Sequence, residues 1–172
     1  MEPAVLGANY KVQMSRMFRG VAVLILMMFG AADPAAATAC ATQAFGNVTV
    51  DIDGRKLIAK RDGKTLARRT LPVVGSAWKC LAMRAFPKKR LLFVEWNGGQ
   101  AGTRSIFQKV SLLAFSVTPG GVTPRGEWII RQGYHGDGPE RIEADRTWRL
   151  EEHDWGIDVI LEGTRRIGVE PK

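Results

Sequence analysis

The side chains able to do chemistry are few and scattered. There are two histidines, His135 and His153. His135 sits in Tyr134-His135-Gly136-Asp137-Gly138, which reads as a flexible loop, and His153 lies among Glu151, Glu152 and Asp154. An imidazole beside a carboxylate can ligate a metal or pass a proton near neutral pH. Zinc-type sites need further ligands at short fixed spacings, and neither histidine has a second one so placed. Both therefore read as solvated turn residues, and no metal and no cofactor is expected. Ser76, Ser105, Ser111 and Ser116 lack the G-x-S-x-G setting of an exposed nucleophile. Asp51, Asp53 and Gly54 begin like a calcium loop, whose oxygen ligands alternate. The next ligand position is the cation Arg55, however, so a plain hairpin turn is the better reading. Gly98-Gly99-Gln100-Ala101-Gly102-Thr103 lacks the following helix and lysine of a phosphate cradle, which makes it a wide hairpin loop. Carboxylate pairs for glycoside chemistry are spatial and do not show in a single sequence.

The two cysteines, Cys40 and Cys80, belong to the question of where the protein works. Lys11, Arg16 and Arg19 precede an apolar run over residues 21–29, and small residues follow over 31–41. A basic start, a short apolar centre and alternating small residues are the parts of a secretory signal. The run is too short to span a bilayer, which takes roughly 20 apolar residues. Residues 1–39 are thus expected to be a signal peptide, with 1–13 an over-extended start because Met14 and Met17 open tidier signals. Cleavage after Ala37, Ala39 or Ala41 fits the pattern equally. Ala37-Thr38-Ala39-Cys40 resembles the lipobox of bacterial lipoproteins, which implies a lipidated Cys40 as the minor alternative. If Cys40 survives unlipidated, it is a candidate to pair with Cys80 in an oxidising compartment. Residues 40–172 then form one exported domain, periplasmic or secreted. Their length, about 130 residues, is ordinary for a single domain able to bury a core.

Charge is uneven along that domain. The chain carries +8 overall, yet residues 55–90 contain Asp62 as their sole acid among twelve Lys and Arg. The acids gather between residues 140 and 162. One reading is internal, with basic strands lying beside acidic ones so that opposite charges fix register. The other is a positive patch of Arg55, Lys56, Lys60, Arg61, Arg68 and Arg69 for an acidic envelope component or protein. Nucleic acid is disfavoured, because the aromatics do not interleave with the basic run as stacking platforms. Membrane association is expected only through lipidation at Cys40 or through this surface charge.

The elements that must position these residues read as strands and tight turns. Val48, Val50 and Ile52 alternate with polar residues, the period of a half-buried strand. Asp53-Gly54 and Asp62-Gly63 then punctuate a three-strand meander, since Asp-Gly is a strong hairpin signal. Residues 73–86 fit either a short helix (near 74–86) or a strand ending before Pro87. Residues 90–96 are apolar on both faces and should lie centrally. Long runs follow over 106–117 and 122–131, a polar loop over 132–146, a hairpin across Asp154-Trp155-Gly156, and a last strand at 167–169. This is an all-β fold of about eight or nine strands, a small up-and-down antiparallel barrel or a β-sandwich. Four tryptophans fall at strand positions as core candidates, and Trp155, in a turn between acids, is the expected surface anchor.

On these residues the protein is expected to bind rather than catalyse, as an exported binding or accessory protein for an acidic partner. A second possibility is a carrier holding an apolar ligand in a barrel interior. A third is a small envelope hydrolase using carboxylates with His135 or His153. No residue is assigned a catalytic role.

Overall fold

The N-terminal meander is set by turn chemistry. Asp62 and Gly63 both take positive φ, 52° and 77°, between the paired residues Arg61 and Lys64. That is the requirement of a type I′ hairpin, which Asp-Gly meets at low cost. The preceding turn differs from its expected place by one residue. Asp53 pairs with Lys56, so Gly54 and Arg55 are the central residues, with Gly54 at φ 58°. A glycine first in the turn suits the II′ form, and Gly46-Asn47 repeats it between Phe45 and Val48.

The structure, a computed structural model, describes residues 40–136, 138–162 and 165–171. The signal peptide, the alternative starts and the lipobox residues before Cys40 lie outside the described residues. Twelve strands are described, all in antiparallel pairs between chain neighbours. β1 (Gln43–Phe45), β2 (Val48–Asp53), β3 (Lys56–Arg61) and β4 (Lys64–Thr70) make a four-stranded sheet. β5 (Lys79–Phe86), β6 (Leu91–Ala101), β7 (Ser105–Thr118), β8 (Gly121–Gly136) and β9 (Arg141–Asp145) make a five-stranded one. β10 (Trp148–Glu152), β11 (Ile157–Leu161) and β12 (Arg165–Val169) complete a third.

The five-stranded sheet is covered on both faces. Leu92, Val94 and Trp96 of β6, with Leu113, Phe115 and Val117 of β7, pack against Val48, Val50, Leu57 and Ala59 of the first sheet. The alternate residues Leu91, Phe93, Leu112 and Ala114 pack against Leu150, Ile157, Val159 and Val169 of the third. Side chains one residue apart on a strand leave opposite faces, so a strand buried on both sides must be apolar throughout. That explains the unbroken apolar runs in β6 and β7. The fold is therefore an all-β sandwich of three sheets with two cores.

Several expectations on the elements need correction. Residues 79–86 form a strand, not a helix; the chain ends it at Phe86 before a single 3₁₀ turn, Pro87–Lys89. Twelve strands exceed the expected eight or nine: β1 and β9 arise where no strand is expected, and the stretch open between helix and strand becomes β5. β9 lies in the supposed polar loop, where β8 also runs on to Gly136. The glycine-rich stretch is strand through Ala101, with a register shift between Asn97 and Gln100. Its glycines admit a neighbouring backbone: Gly98 O accepts from Val74 N at 2.8 Å, and Ser76 and Gln100 exchange two hydrogen bonds. A Cβ on Gly75 would lie 1.9 Å from Gln100 O. Close backbone approach, rather than phosphate binding, uses these glycines. Trp78, 37% exposed, is not a core residue, and it stacks on the buried Trp96 at 6.0 Å between ring centroids.

Candidate functional site

The six basic residues do not share one face. In β3, Leu57 and Ala59 point into the core, so Lys56, Ile58 and Lys60 lie on the other face, where Ile58 is itself buried and the register sets it beside Arg68 of β4. Arg55 occupies the hairpin turn. Arg61 and Arg69 are turned toward the middle sheet: Arg61 Nη1 donates to Pro119 O at 3.4 Å and Arg69 Nε to Val122 O at 3.2 Å. These two cations tie the edge of the first sheet to the β7–β8 turn.

Where β4 meets β8 the surface opens into a groove of about 630 Å³. Arg68 and Arg69 line it from β4, and Arg125 lines it from β8. Leu71, Leu113 and Phe115, all nearly buried, form its floor, and the exposed Pro72 and Pro124 stand at its walls. Arg125 Nε is sealed from solvent and has no hydrogen-bond partner, an arrangement that costs energy unless something else meets the donor. The groove's acid is already satisfied. Glu127 accepts from Lys109 Nζ at 2.8 Å and from Ser111 Oγ at 2.9 Å. Burial works to raise its pKa, but the Lys109 and Ser111 bonds outweigh that and hold the carboxyl below its ordinary value. The opening therefore presents positive charge over an apolar floor. Its volume falls in the range of small-ligand sites.

The acids of the late strands do not neutralise this region. The first and third sheets pack on opposite faces of the middle one, so the basic N-terminal strands and Glu151, Glu152 and Asp158 lie on separate sides. Among the described residues no salt bridge links the two sheets. Pairing of the first sheet's basic strands with the acidic third sheet is therefore not made among the described residues, whereas Lys89 of the same basic stretch donates to Asp154 O in the β10–β11 turn.

The other sequence candidates separate. His135 belongs to strand β8, paired with Ile106, rather than to a flexible loop. It borders a hollow of about 240 Å³ with Tyr134, Glu140 and Arg141. His153 lies elsewhere, at the β10–β11 turn, with 34% of its side chain exposed. Its ring is parallel to Trp155, 5.5 Å between centroids, and its Nε2 is 3.1 Å from Asp158 Oδ2. Trp155 itself is 47% exposed. Asp51 pairs with Ile58 within the first sheet, and Asp53 closes a hairpin. Cys40 and Cys80 are joined in a disulfide, Cα atoms 6.1 Å apart, which ties the start of the described chain to β5.

Sequence reasoning missed Arg125 and the groove walls. Arg125 sits alone in an apolar and polar mixture, 56 residues after Arg69, and only the packing of β4 against β8 joins them. One signal was present: Pro124 interrupts a strand, which marks an edge or an irregularity. It coincides with the register shift between Ala114 and Phe115. Glu151 and Asp158 were likewise invisible as a pair until the strand register set them opposite one another. Compared with protein-family models, with curated proteins and with solved structures, the chain matches none.

Proposed function

We propose that this is an exported binding protein whose β4–β8 groove takes an anionic amphiphile, headgroup on the arginines and apolar portion on the floor. One observation carries the reading: Arg68, Arg69 and Arg125 all line one groove floored by Leu71, Leu113 and Phe115, and the Nε of Arg125 is buried there without a partner. Arginine suits this task because its planar fork meets phosphate and carboxylate bidentately. The outward row of Lys56, Lys60 and Arg68 extends the positive surface around the edge strand and would draw an anionic headgroup layer. Export is supported by the signal pattern and by the Cys40–Cys80 disulfide, a bond that persists in oxidising compartments.

Co-sedimentation with lipid vesicles tests this. The protein is expected to bind vesicles containing phosphatidylglycerol and to ignore those of phosphatidylcholine alone. Binding should fall steeply as salt rises from about 0.05 to 0.5 M, as the screening length shrinks. The double variant Arg68→Ala/Arg69→Ala should weaken it by roughly tenfold or more, since each basic side chain near an anionic surface contributes about 1 kcal/mol. Equal binding to both vesicle types, or binding indifferent to salt, would remove the proposal.

A further inference from the structure

A second cluster lies on the outer face of the third sheet, on the other side of the molecule from the first sheet's core. Leu150, Ile157 and Val159 point into that sheet's core, so Glu151 and Asp158, directly opposite in the β10–β11 register, point outward together. Asp158 is nevertheless only 7% exposed, because the turn folds back over it. Trp155 lies across Gly168, the β12 partner of Asp158; a Cβ on that glycine would meet the indole at 2.7 Å. His153 stacks parallel to the same indole. The stack sets the imidazole edge against Asp158, where Nε2 is shielded from solvent and makes no directed hydrogen bond, although Oδ2 is 3.1 Å away. One donor atom from each of Glu151, His153 and Asp158 lies within 4.8 Å of the other two.

Two carboxylates directly opposite on neighbouring strands repel each other, and a buried one needs a cation or directed hydrogen bonds. Arg149 Nη2 reaches Glu151 Oε1 at 2.9 Å, which leaves Asp158 facing the imidazole. A nitrogen and an oxygen that approach off-axis are not aimed at each other; both can aim at a third body. We propose that Glu151, His153 and Asp158 bind one divalent transition-metal ion of the zinc class, leaving a coordination position open to water. Imidazole with carboxylates is a donor set zinc accepts, and three protein ligands plus water is its open form. Tetrahedral coordination sets donors about 3.4 Å apart, so a bound ion would draw the three together from within 4.8 Å, with Glu151 turning from Arg149. Trp155 and Gly168 act as positioning residues that hold the imidazole plane.

The full chain, disulfide closed, is stripped with a chelator and titrated with Zn²⁺ by calorimetry while indole fluorescence is followed. One ion per chain is expected, with a change in emission because Trp155 stacks on a ligand. His153→Gln and Asp158→Asn should each lower the affinity by about tenfold or more, whereas His135→Gln, on β8, should match the wild type. Each variant must first melt like the wild type in chelator; if Asp158→Asn does not fold, Glu151→Gln replaces it. Co²⁺ in place of Zn²⁺ should give the visible absorption of a four-coordinate site. No Zn²⁺ uptake by the wild type, or uptake unchanged in both ligand variants, overturns the assignment.

Discussion

At the scale of single residues, two glutamates on opposite faces of the middle sheet respond oppositely to their surroundings. Glu127 is held below its ordinary value of 4.5: burial opposes the charged form, and Lys109 and Ser111 more than offset it. Glu95 is raised above that value because burial outweighs the attraction of Arg131. A depressed carboxyl contributes stability above its unfolded pKa and loses it as pH falls through its folded one. A raised carboxyl does the reverse, losing its contribution as pH rises through its folded value. Glu127→Gln should therefore destabilise the protein at pH 7, by a few tenths to about 1 kcal/mol for a half-exposed pair. Glu95→Gln should be neutral or stabilising there. Both differences from wild type should shrink as pH drops below 4.5, which urea melts at several pH values would show. Residue roles were the least legible part of the sequence. His153 is the turn residue its sequence suggests, but its neighbours Glu151 and Asp158 face each other only through strand register, and Arg125 gains meaning only beside Arg69.

Elements were far more legible, for a physical reason. Turn formation and strand period are local, so Asp62-Gly63 and the alternation of Val48, Val50 and Ile52 announce the first meander without help from the rest of the chain. The runs in β6 and β7 are equally plain, since burial on both faces demands apolar residues throughout. What local reasoning could not supply was pairing that depends on partners far along the chain. β9 is polar enough to read as loop, and its pairing with β8 decides otherwise. β5 carries residues compatible with helix or strand, and its pairing with β6 selects the strand. The disulfide acts at this scale too, linking residues 40 apart and anchoring the chain before β1 to the edge strand β5. Closing a loop of that length stabilises by about 3–4 kcal/mol in the chain-entropy account. Reduction, or Cys40→Ser/Cys80→Ser, should lower the urea midpoint accordingly while far-ultraviolet dichroism in the absence of denaturant stays β-type. An unchanged midpoint would mean the bond constrains nothing that the sheets do not already fix.

At the scale of the molecule, the middle sheet separates a basic outer layer from an acidic one. The charge asymmetry was evident in the sequence, but its consequence was not: both mutual neutralisation and a free patch were compatible with it. Stacking the first and third sheets on opposite faces decides for separation. The groove at the β4–β8 junction then joins charge to apolar surface in one place. The most direct test of that account is an NMR titration of the labelled protein with a short-chain anionic phospholipid kept below its micellar concentration. Saturable shifts are expected in the amides of Arg68, Arg69 and Leu71 and of Arg125, Gly126 and Glu127, lost in Arg68→Ala/Arg69→Ala and absent with a zwitterionic lipid of equal chain length. Shifts confined to other strands, or identical for both lipids, would contradict it.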